Sequence, residues 1–328
     1  MSVYTLLSAA DIQSFLAGYD LPPLGGFTPI KGGIENSNYF LELVDGRELV
    51  LTLFEELGPE EAAFLGPLLN HLEAAGIPVA TPLQDRSGRY LGHLRGRPAQ
   101  LAPRLPGAHP EAPAADACRA MGHTLAHLHL ALEGYPLARR NAHGAAWWED
   151  LARHWQPLLP AAEGALLDAL LARHAEACIR HTDLPRGLIH GDLFRDNTLF
   201  LAGSVSAVLD FSETGHDYLL LDIAITSNDF CRHWPSLAPD PVRRAAFLEG
   251  YESARPLTAG EQAALPVFLA VGAMRFWLSR LDVGARNAAE NRGGEHVLEK
   301  DPGEMRELAR ALLADADARA EAGAGTGT

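Results

Sequence analysis

His190-Gly191-Asp192-Leu193-Phe194-Arg195-Asp196-Asn197, followed after an apolar run by Asp210-Phe211, is the stretch on which the fold turns. Asp192 and Asn197 stand five residues apart across what reads as a tight loop, and Asp210 closes the strand-like run Val205–Leu209. Phosphoryl transfer asks little covalent chemistry of a protein. It asks that the acceptor be positioned and the phosphate charge be neutralised. In this spacing Asp192 is placed to accept the proton of an attacking hydroxyl. Asn197 offers an amide oxygen and Asp210 a carboxylate to Mg2+, which takes a few protein oxygens and completes its octahedron with water and phosphate. Alone, Asp192 and Asn197 would be ordinary turn residues; the ordered set of His, Asp, Asn and a strand-ending Asp-Phe points to chemistry.

Outward from this loop the pattern changes character. Upstream, Ser8 opens a helix over 8–19. The β-type runs Phe27–Lys31, Asn38–Val44 and Glu48–Phe54 are separated by Gly32–Gly33 and Asp45–Gly46, which reads as an antiparallel meander. A long helix is expected over 59–75, then strands at Val79–Leu83, Tyr90–Leu94 and Ala99–Leu101. Pro98, Pro103, Pro106 and Gly107 interrupt the pattern and mark a boundary. Beyond it the chain reads as helical over 114–132, 146–157 and 161–181. A β-rich interlude surrounds the quoted loop, and helices return over 218–231, 240–254, 258–283 and 301–319. The expected fold class is α+β and two-lobed. Residues 1–102 form a small antiparallel-sheet lobe that binds nucleotide, 103–319 a larger helical lobe for catalysis and substrate, and the Ala/Gly/Thr-rich 320–328 a flexible tail.

The spacing matches the protein-kinase pattern H-R-D-x-x-x-x-N followed by D-F-G, with Gly191 replacing Arg and Ser212 replacing Gly. H-G-D-x-x-x-x-N resembles the signature of the aminoglycoside-phosphotransferase-like kinases, which have a protein-kinase-like fold and include choline, methylthioribose and homoserine kinases. That resemblance implies ATP and Mg2+ as cofactors, His190 as support for the loop, and Asp222, within Leu219-Leu220-Leu221-Asp222-Ile223-Ala224, as a hydrogen-bonding brace. An acid set among Leu and Ile is costly unless paired, which agrees with the brace.

On the nucleotide side, Lys31-Gly32-Gly33-Ile34-Glu35-Asn36-Ser37-Asn38 lies between two expected strands. Glycines let the backbone approach phosphates, and Ser37 and Asn38 are candidate contacts. Kinases place a Lys on the third strand, paired to a Glu on the next helix. Here Thr52 occupies that slot, so Lys31, an Arg or the metal would carry the charge. Glu60 and Glu61 open the next helix, where the helix dipole explains them equally well. Adenine is expected against the backbone near Leu101–Arg104.

Ile34–Phe40, Leu49–Glu55, the catalytic loop, Ser227-Asn228-Asp229-Phe230-Cys231 and Arg275-Phe276-Trp277-Leu278-Ser279-Arg280-Leu281 together resemble the homoserine kinase branch. L-Homoserine as small-molecule substrate needs an Arg for its carboxylate and an acid for its ammonium. Arg275 and Arg280 flank Trp277; Asp229 or Asp217 faces the amine; Arg195 is a further candidate for substrate or phosphate. Acceptors of other members of the fold (an aminoglycoside, amino alcohol or methylthioribose) stay open. So does a catalytically silent nucleotide-binding module, on account of Thr52.

Composition bounds these readings. A net charge of −15 works against nucleic acid and anionic lipid, so neither is an expected partner. Cys118, Cys178 and Cys231 show no metal spacing and read as free thiols in a reducing compartment. His123 and His127 have i,i+4 spacing but no H-E-x-x-H, so with His129 they read as helix packing near the catalytic loop rather than zinc ligands. Of Trp147 and Trp148, adjacent on a helix, at most one faces a ligand. No apolar stretch reads as long enough for a membrane span, and the cytoplasm is the expected location.

Overall fold

The computed structural model describes residues 5–30, 36–234, 238–289 and 300–325. After a short helix come three strands: β1 (Leu24–Pro29), β2 (Asn36–Leu43) and β3 (Glu48–Phe54). Tyr39, Leu41 and Leu43 alternate along β2, and Leu49, Leu51 and Leu53 along β3; all are at most 4% exposed. A side-chain period of two sends each set to one face and so fixes the register. On that face lies α1 (Ala9–Leu16), which contributes Ile12, Phe15 and Leu16 and is capped by the Ser8 hydroxyl on the Asp11 N–H. With β4 (Gly92–Leu94) and β5 (Arg97–Pro103) the sheet is antiparallel in the order β1-β2-β3-β5-β4.

Two local expectations are corrected here, both by proline. The helix expected over 59–75 is two pieces, α2 (Pro59–Ala62) and α3 (Leu65–Ala74). Pro67 has no N–H to give the carbonyl of residue 63, so a continuous helix would lose that bond. Val79–Leu83 is not a strand: Pro78 precedes it and Pro82 lies within it, and only Val79 makes an isolated parallel bridge, to Val208.

The chain divides into two compact units. The first extends to Gly107 and also takes in Ser206–Ser212 and, among the described residues, 287–289; the second comprises Ala108–Val205, Glu213–Arg286 and the chain from Lys300. A single boundary at 102/103 falls inside β5. The second unit is built from α4 (Ala115–Ala131), α5 (Ala145–Trp155), α6 (Ala161–Arg180), β6 (Arg186–Ile189) and β7 (Thr198–Leu201). The next strand, β8 (Ser204–Val208), leads into the first unit, where the Val208 N–H donates to the Pro78 carbonyl (2.7 Å) and the Ser206 hydroxyl to the Pro106 carbonyl (2.7 Å). The second unit resumes with β9 (Gly215–Tyr218), which pairs antiparallel with β6, and α7 (Leu219–Phe230). It closes with α8 (Pro241–Glu252), α9 (Ala259–Ala289) and α10 (Pro302–Gly325). The tail expected to fray from Ala320 is thus helical to Gly325.

The helix α9 also corrects the expectation about membrane-length segments. It is long and apolar enough to cross a bilayer, but 67% of its most apolar window is buried inside the protein, which accounts for the composition as core.

Helices α4 and α8 meet backbone to backbone. A Cβ on Gly250 would lie 2.0 Å from the Arg119 carbonyl oxygen, and one on Gly122 2.0 Å from that of Phe247. Backbone oxygens cannot rotate aside, so Gly250→Ala forces the helices apart. The expected loss is about 1–3 kcal/mol, read as a Tm lowered by several degrees; an unchanged Tm would show that the contact is slack.

Candidate active site

The loop after β6 is positioned from below by one carboxylate. Asp222, in the first turn of α7 and fully buried, accepts the N–H groups of His190 (2.8 Å) and Gly191 (2.9 Å). Its Oδ2 also meets His129 Nε2 at 3.1 Å, and His129 Nδ1 meets the Tyr251 hydroxyl at 2.7 Å. Arg255 bonds both that hydroxyl (3.2 Å) and Glu261 (2.9 Å), so a buried polar chain runs from the loop to the start of α9. Burial pushes the Asp222 carboxyl up, but the His129 bond, the nearby His129 and His190 rings and the Gly191 N–H outweigh it and hold it below the usual carboxylate value.

Gly191 explains its own identity. Its φ is +81°, and a Cβ there would stand 3.1 Å from the Glu213 carbonyl oxygen. Asp192 follows, with its N–H donating to His190 Nδ1 at 3.3 Å. Asn197 Nδ2 donates to both the Asp192 carbonyl (2.7 Å) and Asp192 Oδ2 (3.0 Å). Nδ2 is thereby turned inward, and Asn197 Oδ1 takes no hydrogen bond from a described residue. On the other side of Asp192, Arg275 Nη1 stands 3.9 Å from Oδ1. The Asp192 side chain is 29% exposed, against 5% for Arg275: an open carboxylate beside a buried cation.

Arg275 continues to Glu213, Nη2 to Oε2 at 3.3 Å, and Glu213 is hydrogen-bonded to His143 Nδ1. Burial raises the Glu213 carboxyl, yet the His143 bond and the Arg275 and Arg139 charges outweigh it and hold it down. The 139–144 segment is tied to β9: Asn141 donates to Asp217 (2.7 Å), and the His143 N–H donates to Asn141 Oδ1 (3.0 Å). Trp148 is core, its indole N–H bonded to the His143 carbonyl, whereas Trp147 is part-exposed and edge-on to the His143 ring at 4.6 Å. Sequence reasoning missed Glu213 and His143. The one available signal was Glu213's place directly after Asp210-Phe211-Ser212. Of the three histidines on α4 only His129 is buried; His123 and His127 are exposed and face each other at 3.2 Å.

Several expected substrate residues are engaged elsewhere. Arg195 gives its N–H (2.8 Å) and Nε (3.0 Å) to Asp229, bonds the Pro110 and Glu111 carbonyls and lies over the Trp234 ring. Arg195 and Asp229 are therefore corrected to a tie between the catalytic loop and α7. Burial pushes the Asp229 carboxyl up, with Arg195 offsetting part of it. Trp277 is 1% exposed and belongs to the core. Arg280 bonds the Asp301 carbonyl (2.7 Å) and Glu304 (3.2 Å) and joins α9 to α10. Of the four α9 and α7 candidates, only Arg275 reaches Asp192.

The residues expected on the nucleotide side lie in the first unit. Lys31, Gly32 and Gly33 fall outside the described residues. Ser37 is fully buried, its hydroxyl donating to Glu55 (2.6 Å), and this corrects it as a phosphate contact. Thr52 lies opposite Asn38 across β2 and β3 and donates to its Oδ1 at 2.7 Å, so a neutral pair fills the slot of the usual Lys. Glu61 accepts the Gly58 N–H (2.9 Å) and caps α2. Leu101 is core, its carbonyl taken by the Leu83 N–H, and Arg104 pairs with Glu48 (2.7 Å) over the Phe40 ring.

Asp210, also in the first unit, is exposed and has φ +54°. A non-glycine residue in that region costs on the order of 1–3 kcal/mol, a conformation that Arg95 and Ala202 also adopt. Its Oδ1 accepts from the Ser212 N–H (3.2 Å) and hydroxyl (2.6 Å), and no described residue bonds Oδ2.

A five-stranded antiparallel sheet, then a helical region carrying a braced Asp-to-Asn loop, define a kinase-like α+β fold. The chain belongs to the phosphotransferase enzyme family, whose pattern matches residues 26–257. It is similar to the homoserine kinase of Methylobacillus flagellatus, 40% identical over 314 residues that cover 96% of each chain. It is 41% identical over 305 residues to that of Pseudomonas aeruginosa, covering 93% of this chain and 94% of the other. Among solved structures it resembles the amicoumacin kinase hAmiN in complex with AMP-PNP, Ca2+ and Ami. That match has a TM-score of 0.69 at 16% identity over 94% of each chain, and is a likeness of fold.

Proposed function

We propose that this chain transfers the γ-phosphoryl group of ATP to the hydroxyl of L-homoserine, giving O-phospho-L-homoserine for threonine biosynthesis in the cytoplasm. The observation that carries the chemistry is the Asp192 carboxylate, open to solvent yet fixed by Asn197 and faced by Arg275. The acceptor rests on the near-full-length similarity to homoserine kinases. Asp192 orients the hydroxyl and takes its proton as the oxygen bonds to the γ-phosphorus; the bond from that phosphorus to the β,γ-bridging oxygen breaks, and ADP leaves. Asn197 Oδ1 and Asp210 Oδ2 are each a hard oxygen that no described residue bonds, the donor type that Mg2+ takes, and each would serve as a ligand. When bound, that ion supplies neutralisation of phosphate charge.

The test is acceptor-dependent ADP release with Mg2+-ATP across L-homoserine, L-serine, L-threonine, choline, methylthioribose, 3-amino-1-propanol and kanamycin. The highest kcat/KM is expected with L-homoserine. A higher value with another acceptor would replace the substrate and keep the chemistry; ATP binding without turnover on any of them would favour a silent module.

A further inference from the structure

We propose that Glu213 and Arg275 form a clamp for the zwitterionic end of an α-amino acid, with Glu213 taking the ammonium and Arg275 the carboxylate. This deepens the proposed function and rests on it.

Three observations carry the clamp. First, Arg275 lies between two carboxylates, 3.9 Å from Asp192 and 3.3 Å from Glu213, so the recognition charges begin immediately beside the base. A γ-hydroxyl and an α-carboxylate separated by three carbons span roughly 5–6 Å when extended, estimated from standard bond lengths. That reach suits one end at Asp192 and the other on the guanidinium next to it. Second, both charged groups keep unused capacity. Arg275 is 4% exposed, and its Nε is buried with no hydrogen-bond partner among the described residues. Glu213 receives the His143 and Arg275 bonds on Oε2, and Oε1 takes none from a described residue. Third, Glu213 is held ionised by His143 and Arg275, so it can receive an ammonium without first losing a proton.

The energetics favour a zwitterion over either half of it. An ammonium and a carboxylate entering together add no net charge to a buried pair, and they alternate in sign with Glu213 and Arg275. A lone cation would meet Arg275, and a lone anion would meet Glu213 and Asp192, without compensation. A site of this kind rejects an acceptor that lacks one charge more strongly than it rejects a change in carbon chain length.

The experiment compares wild type, Glu213→Gln and Glu213→Asp on three acceptors. These are L-homoserine, 4-hydroxybutyrate (the ammonium removed) and 3-amino-1-propanol (the carboxylate removed). In wild type L-homoserine leads both. Glu213→Gln is expected to raise KM for L-homoserine about 10–100-fold, the worth of one charge-assisted hydrogen bond, with kcat within a few-fold. Its preference over 4-hydroxybutyrate collapses, while its preference over 3-amino-1-propanol persists. Glu213→Asp restores part of the first preference. A Glu213→Gln enzyme that still discriminates against 4-hydroxybutyrate as wild type does, or that loses kcat at unchanged KM, overturns the clamp and leaves the homoserine reading standing. Wild type with no turnover on L-homoserine overturns both. A measurement on wild type alone covers the case in which the Gln variant does not fold. L-2-Aminobutyrate should compete with L-homoserine at least tenfold more tightly than butyrate or propylamine, and equal inhibition by all three overturns the clamp.

Discussion

Asp192→Ala is expected to lower kcat by about 10²–10⁴-fold, the range for a lost general base, while ATP binds within a few-fold of wild type and the protein melts near the wild-type temperature. The separation follows from where each load is carried. The Asp192 side chain is part-exposed, and the loop beneath it is held by Asp222 through the N–H groups of His190 and Gly191, not by the Asp192 carboxylate. Asn197 keeps its bond to the Asp192 main-chain carbonyl in the variant. Asp192→Asn tests the proton specifically: it preserves shape and removes basicity, and it should fall to the same level. Equal kcat for wild type and either variant, in a folded protein, would remove Asp192 from the chemistry.

Asp222→Ala is the opposite case, with stability and turnover lost together. Asp222 is fully buried and satisfies two backbone N–H groups and a histidine ring, and removing one member of such a set costs about 3–5 kcal/mol. Asp222→Asn should also be severe, since one of its two oxygens becomes an NH2 that opposes a donor. The pH dependence has a definite sign. A carboxyl held below its unfolded value binds fewer protons folded than unfolded. Its contribution is therefore present above the unfolded value near about 4 and is lost as pH falls through the lower folded value. Melting temperature against pH should show a steeper acid fall in wild type than in Asp222→Asn. Parallel curves would mean that the brace is not ionised in the folded protein.

What the sequence revealed and what it hid divide along contact range. The catalytic loop was legible because Asp192, Asn197 and the residues between them set their geometry within one short turn. Asp222 was legible because an acid inside Leu-Leu-Leu-Asp-Ile-Ala needs a partner. Glu213 and His143 were not, since 70 residues separate them and 62 separate Glu213 from Arg275. His129 could be placed near the loop but not assigned to Asp222, 93 residues away. The substrate residues show how far periodicity could have gone. At about 100° per residue, Trp277 lies some 200° around α9 from Arg275 and Arg280 some 140°, so the three never shared a face. That argument singles out no one of them, however; only burial and the distance to Asp192 select Arg275. The prolines at 67, 78 and 82 were visible and disfavour the helix and strand expected there, although α9 continues through Pro266. Arg195 and Asp229 looked like binding groups because charged residues near a catalytic loop do; their pairing with each other is a tertiary fact.

The most direct test of the central claim is the fate of the acceptor oxygen. Wild-type enzyme would be given Mg2+-ATP and L-homoserine labelled with 18O in its hydroxyl, and the product analysed by mass spectrometry and by treatment with hydroxylamine. Direct transfer to the hydroxyl, with Asp192 as base, predicts a phosphorylated amino acid that retains the label and resists hydroxylamine, formed in step with ADP. Unlabelled inorganic phosphate released in step with ADP and no phosphorylated amino acid, or a hydroxylamine-sensitive acyl phosphate, would contradict it.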